Sequence, residues 1–204
     1  MKEFLAFSQH RIVVGLPGVN MCYALGPYSR FDEEGESEKA KFGRLVYGAK
    51  YESDGDARAV LIQETVQFVQ RHPRLRSVEA VTAPPRSAST ARNLPLGMAK
   101  ALAEALGAHL VEVRKVVATE PQKSYDDADT EDTVAARVAN GMRVDTPVGG
   151  AVLIVDDTLG SGGTVKEAAR ALRQAGARSV YGLCAAKNAK FRTGGLSLSK
   201  EHWQ

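Results

Sequence analysis

The sequence lacks most of the features that assign a class at a glance. It has two cysteines, Cys22 and Cys184, in 204 residues, too few for a disulfide framework or a cysteine zinc cluster. Its four histidines, His10, His72, His109 and His202, share no metal-ligand spacing. The longest apolar runs fall far short of the ~18 residues of a membrane span. The start, MKEFLAFSQH, lacks the basic-then-apolar layout of a signal peptide, so a soluble cytoplasmic protein is expected. Charge of one sign is scarce as well. Lys and Arg number 27 and Asp and Glu 24, a net +3 that gives no ground for nucleic-acid binding. There are no internal repeats and no heptads. What remains is 44% hydrophobic and 25% charged, an ordinary globular balance. The length suits a single well-buried core.

The first 55 residues are irregular. Ile12–Leu16 and Cys22–Leu25 read as short strands or buried loop segments, broken by Pro17, Gly18, Gly26 and Pro27. Phe31–Lys41 is charged and exposed in character, and Leu45–Tyr47 resumes an apolar, strand-like run that leads to Lys50. From there strand, loop and helix alternate. Leu61, Thr65, Phe68 and Val69 predict a helix over Ala57–Arg71, ended by His72-Pro73. Val78–Thr82 is a strand candidate running into the stiff loop Ala83-Pro84-Pro85-Arg86-Ser87. A helix over Leu96–Leu106 stops at Gly107, and His109–Val117 reads as a strand. The polar, acidic stretch 119–133 reads as a flap or an ordered loop, and Val134–Val144 as a short helix or strand pair. Ala151–Val155 is a near-continuous apolar run, as a buried parallel strand requires. A helix over Gly163–Gln174, closed by Gly176, and a strand over Ser179–Ala185 follow. The expectation is an α/β fold, a Rossmann-like, mostly parallel sheet with helices on both faces. Residues 1–55 would supply a small hood and edge elements, and residues 56–204 the core.

The strongest local signal is the string from Ala151 to Thr164. A buried strand delivers Asp156 and Asp157 at its C-terminal end. The stretch Thr158, Leu159, Gly160, Ser161, Gly162, Gly163 and Thr164 then leads into a helix. Ligands of such sheets bind outside the carboxyl ends of the strands. A helix N-terminus offers free N–H groups to an anion, and glycines let successive amides converge. The loop is neither a Walker sequence nor GxGxxG. Two carboxylates beside a phosphate cradle would repel a bare polyanion, so they suit sugar hydroxyls or a bridging Mg²⁺. A sugar phosphate meets both demands. A glycine turn with merely solvated acids is the plainer reading of the same string.

This string resembles the phosphoribosyl-pyrophosphate-binding motif of type I phosphoribosyltransferases. Within them the order of several segments resembles the ComF-like, competence-associated group. These are Leu45–Tyr51 with Asp54 and Asp56, Thr82–Arg86, Arg92-Asn93, and Arg114, Thr119 and Gln122 followed by Arg137 and Asn140. That group's N-terminal zinc module is absent, since the early chain has only Cys22. The resemblance implies Mg²⁺ with phosphoribosyl pyrophosphate as donor and a nitrogenous base or amine as acceptor. It implies that Asp156 and Asp157 hold the ribose hydroxyls or the metal, and that the loop holds the 5′-phosphate. A homodimer is a further implication. Arg86, with a bidentate guanidinium on a rigid loop, suits departing pyrophosphate, helped by Ser87 and Arg92. Lys50 and Arg114 are second-rank ligand candidates, each equally readable as a solvated surface charge. Lys187 and Lys190 follow the last strand toward the base or phosphate region, and Tyr47 and Tyr51 read either as base-stacking or as packing residues. A donor sensor without turnover, or a DNA-uptake accessory, are the alternatives.

Overall fold

The computed structural model describes residues 12–31, 37–85, 93–116 and 141–188. Six strands form the main sheet: β1 (Ile12–Val14), β2 (Met21–Pro27), β5 (Ala80–Ala83), β6 (His109–Glu112), β9 (Ala151–Leu159) and β10 (Ser179–Lys187), in the order β1-β2-β10-β9-β5-β6. All neighbours run parallel except β1, an antiparallel edge on β2. Two small antiparallel pairs stand apart from it. One joins β3 (Ser29–Phe31) to β4 (Ser37–Lys39), and the other joins β7 (Arg114–Lys115) to β8 (Met142–Arg143). Four α-helices, α1 (Lys41–Tyr51), α2 (Gly55–Arg71), α3 (Leu94–Leu106) and α4 (Gly163–Gln174), and a short 3-10 helix at Leu75–Ser77 complete the elements of the described residues. Among the described residues no helix is long and apolar enough to cross a membrane.

The central strands β2, β10, β9 and β5 are buried on both faces, which is why β9 and β10 read as nearly unbroken apolar runs. Side chains alternate along β9. Leu153 and Val155 join a cluster with Val46 and Ala49 of α1, Leu61 and Phe68 of α2, and Met98 and Leu102 of α3. Val152 and Ile154 join the opposite cluster with Val165, Ala168 and Leu172 of α4. The α/β architecture with helices on both faces is therefore as expected. Local chemistry sets the helix ends. Asp54 accepts from the N–H groups of Asp56 and Ala57 at 2.9 Å each and starts α2. Asn93 accepts from Leu96 N–H at 3.1 Å and starts α3, which ends at Gly107 in the left-handed region (φ 63°).

Three expectations change. The run Leu45–Tyr47 belongs to a helix, α1, and not to a strand, because Phe42, Val46 and Ala49 recur at helical spacing and all are buried. Lys50 thus stands in the last turn of a helix. His109–Val117 divides at the buried Val113. Its first half borders β5 in the main sheet, and its second half pairs with β8. Strands β9 and β10 run on past Val155 and Ala185, because Thr158 pairs with Ala186 and Leu159 with Lys187. The β3–β4 hairpin is docked through Tyr28, whose N–H donates to the Lys187 carbonyl at 2.8 Å and whose carbonyl accepts from Ala40 N–H at 2.9 Å. Helix α1 approaches this point so closely that a Cβ at Gly43 would overlap the Tyr28 carbonyl oxygen.

His72 closes α2 from a buried position, its ring 4.8 Å from that of Tyr23. Its Nδ1 accepts from Arg74 N–H at 3.2 Å and Leu75 N–H at 3.1 Å. Burial, followed by the charge of Arg74, lowers its pKa from 6.5 to about 4. The unfolded chain therefore binds a proton before the folded one does. The contribution of His72 to stability is complete above pH 6.5 and is lost as pH falls toward 4. In His72→Asn, whose Oδ1 can accept the same two N–H groups, urea titrations should show a weaker loss of stability over that window. An unchanged pH slope would contradict this assignment.

Candidate active site

The site begins where β9 carries its apolar alternation into two carboxylates. Asp157 continues the side of Leu153 and Val155, toward α1, and Asp156 the side of Val152 and Ile154. Asp157 is almost fully buried, and its Oδ2 receives the Lys50 ammonium at 2.7 Å. Burial works to lower the Lys50 pKa, but the charge and hydrogen bond of Asp157 together outweigh it and hold it above the ordinary lysine value. Asp156 Oδ1 accepts the N–H of Asp157 at 2.8 Å. Its pKa is raised to about 7, first by burial and then by the adjacent Asp157 charge, against the pull of that N–H and of Lys50. The strand end thus presents one carboxylate already paired and one poised to ionise near neutrality.

The turn that follows is shorter than the sequence suggests. Thr158 and Leu159 are strand residues, and the Leu159 side chain is buried, so it offers nothing to a ligand. The loop proper is Gly160–Gly162, and α4 starts at Gly163. Ser161 is buried, and its Oγ accepts from Gly163 N–H at 3.4 Å. Gly162 holds φ 82°, and a Cβ there would lie 2.6 Å from Leu16 Cδ2. Two constraints therefore demand glycine at one position. The N-cap residue Gly162 has no side chain to cap α4, and the first turn carries no acidic residue. Beyond the Gly163 N–H that Ser161 takes, the first amides of this 12-residue helix can face an anion, beside the hydroxyl of Thr164.

The other predicted residues divide. Lys50 belongs to the site through Asp157. Arg114 is exposed on β7 and pairs with Glu112 at 3.0 Å and Asp145 at 3.3 Å, contacts that direct it toward β8 rather than β9. Arg86, Ser87, Arg92, Lys190 and the 119–133 stretch lie outside the described residues. Tyr47 and Tyr51 lie one turn apart on α1, both partly exposed, with ring centres 5.2 Å apart and the Lys50 ammonium 5.8 Å from the Tyr51 ring. The described residues hold no group of three or more side chains able to bind a metal. With Asp157 engaged by Lys50, Asp156 is the carboxylate of this pair that could reach a metal. Its oxygens suit Mg²⁺ that arrives already bound to phosphate oxygens. Sequence reading missed the Lys50–Asp157 pair, since nothing local in the chain signals a contact between residues so far apart.

Two outcomes follow from this geometry. Gly162→Ala should lower stability by about 1–2 kcal/mol from its left-handed backbone alone, with the Leu16 overlap added. A melting temperature equal to that of the parent would contradict it. For Asp156, the folded state keeps a proton that the unfolded chain releases, so ligand-free stability falls as pH rises from about 4 to about 7. Asp156→Asn should abolish that fall and be the more stable protein at pH 8. Denaturant titration across the range measures both, and a parallel pH dependence in parent and variant would refute the assignment.

Residues 95–190 match the family model described as phosphoribosyl transferase domain. No curated protein matches the chain. Solved structures similar to it include orotate phosphoribosyltransferase from Aeropyrum pernix, at 18% identity and a TM-score of 0.44, covering 79% of this chain and 74% of that one. Adenine phosphoribosyltransferase from Leishmania tarentolae is similar at 11% identity and 0.46, covering 83% and 89%. Adenine phosphoribosyltransferase from Saccharomyces cerevisiae is similar at 16% and 0.43, covering 97% and 98%. Over residues 95–190, which take in α4, β10 and the whole acidic strand and glycine loop, the chain is similar to a phosphoribosyl transferase domain.

Proposed function

We propose that the chain is an enzyme that transfers a phosphoribosyl group from phosphoribosyl pyrophosphate to a nitrogenous base or amine. The observation that supports this reading best is the order of groups at the end of β9. Two carboxylates are followed within one short loop by the N-terminus of α4, inside the segment that matches the transferase family. A phosphorylated ribose presents hydroxyls and a terminal phosphate at a comparable short spacing.

In this reading Asp156 and Asp157 accept hydrogen bonds from the ribose hydroxyls and fix the ring. The amides from Ser161 to Thr164, with the hydroxyls of Ser161 and Thr164, hold the 5′-phosphate. Lys50 holds the Asp157 carboxylate in place at 2.7 Å, and its positive charge offsets part of the repulsion between the acid pair and an anionic donor. The bond from the sugar C1′ to the pyrophosphate oxygen breaks, and its electron pair leaves with pyrophosphate. The acceptor nitrogen lone pair forms the new bond to C1′, and the nitrogen then gives up a proton. Asp156 would hold Mg²⁺ that comes with the donor, and the ion would supply charge neutralisation to the leaving group. Arg86 is the residue proposed to meet pyrophosphate from the protein side.

Isothermal titration of the donor with Mg²⁺ tests the assignment of the acids. The double variant Asp156→Asn/Asp157→Asn should bind at least about 10-fold more weakly, the loss expected when hydrogen bonds to charged groups are removed. Parent-like affinity in a folded double variant would defeat it.

A further inference from the structure

We infer that Lys187 is a positioning residue for the 5′-phosphate, acting from beneath the loop. The inference rests on the phosphoribosyl reading of the site. Lys187 ends β10 opposite Leu159 and is 2% exposed, an unusual place for a lysine. Its ammonium donates to the carbonyl of Gly160 at 3.1 Å and to that of Asn188 at 2.8 Å. Its backbone is fixed as well, since its carbonyl accepts from Tyr28 N–H at 2.8 Å, and the adjacent Asn188 N–H donates to Leu159 O at 2.9 Å. The side chain is therefore anchored in the strand end and directed at the first residue of the loop.

This contact has a geometric consequence. In a planar trans peptide the C=O of one residue and the N–H of the next point in opposite directions. Among the described residues no peptide bond is cis. With the Gly160 carbonyl held onto Lys187, the Ser161 N–H is directed away from the lysine. It therefore lies on the side opposite the buried ammonium. Lys187 thus sets the orientation of the first loop amide and places a fixed positive charge behind the loop. Both effects favour a phosphate over a neutral group in front of it. The mechanism described above makes no use of this lysine, and Lys187 touches the loop backbone rather than the sugar.

Ribose 5-phosphate is the probe, titrated calorimetrically. The parent should bind it. Lys187→Met, which keeps the stem and removes the ammonium, and Lys187→Gln, which keeps a donor and removes the charge, should each bind about 10-fold more weakly or worse. Lys187→Arg, which keeps both, should recover most of the affinity. A merely structural lysine would give no such rescue by arginine and no penalty in a folded glutamine variant. Parent-like affinity in folded Lys187→Met and Lys187→Gln would overturn the role of Lys187 and leave the phosphoribosyl reading standing. Failure of the parent to bind ribose 5-phosphate would overturn that reading itself. Should the uncharged variants not fold, a crystal structure of the parent with ribose 5-phosphate decides. It should show Ser161 N–H donating to a phosphate oxygen while Lys187 Nζ still holds Gly160 O. A phosphate elsewhere, or a Gly160 carbonyl turned off the lysine, would overturn the inference.

Discussion

The site depends on the pairing of β9 with β10 being carried to the very end of both strands. Thr158 opposite Ala186 and Leu159 opposite Lys187 keep the backbone extended two residues past the acids. Asp156 and Asp157 are therefore strand residues with opposite, fixed directions. Had β9 ended at Val155, both acids would lie on a glycine-rich loop, free to turn to solvent. The same pairing limits the loop to Gly160–Gly162 and delivers the start of α4 directly after the carboxylates. Sheet hydrogen bonding, well inside the core, thus determines the distance between the two carboxylates and the N-terminus of α4.

Electrostatics refines what the backbone sets. Two neighbouring carboxylates in a buried setting cannot both ionise at no cost. The fold resolves this by giving Asp157 the Lys50 ammonium and leaving Asp156 raised to about 7. The overall charge of +3 describes none of this. What matters is a local balance of Lys50 from α1, Lys187 from β10 and the N-terminus of α4 against two acids. The β3–β4 hairpin belongs to the same arrangement, since Tyr28 hydrogen-bonds to the backbone of Lys187.

Much of this was legible in the sequence. The apolar run Ala151–Val155, the acid pair, the glycines and the helix over Gly163–Gln174 are all local patterns, and burial on both faces of the sheet makes them emphatic. The local pattern predicts the last described helix at its observed limits, and α2 and α3 to within two residues of theirs. What escaped was non-local. Leu45–Tyr47 is too short a window to reveal helical spacing that includes Phe42 and Ala49. The division of 109–117 reflects the choice of Arg114 and Lys115 to pair with β8, a partner distant in sequence. The extension of β9 through Leu159 depends on β10. The Lys50–Asp157 bridge and the grip of Lys187 on Gly160 join residues that only the folded sheet brings together.

Turnover tests the transfer chemistry most directly. Phosphoribosyl pyrophosphate and Mg²⁺ should be incubated with the protein over a panel of purine and pyrimidine bases and simple amines, with pyrophosphate followed over time. The account predicts acceptor-dependent pyrophosphate release with at least one of them, together with the matching ribosylated product. Tight binding of the donor with no acceptor-dependent release across the panel would contradict it, and would mark the chain as a protein that binds the donor without transferring it.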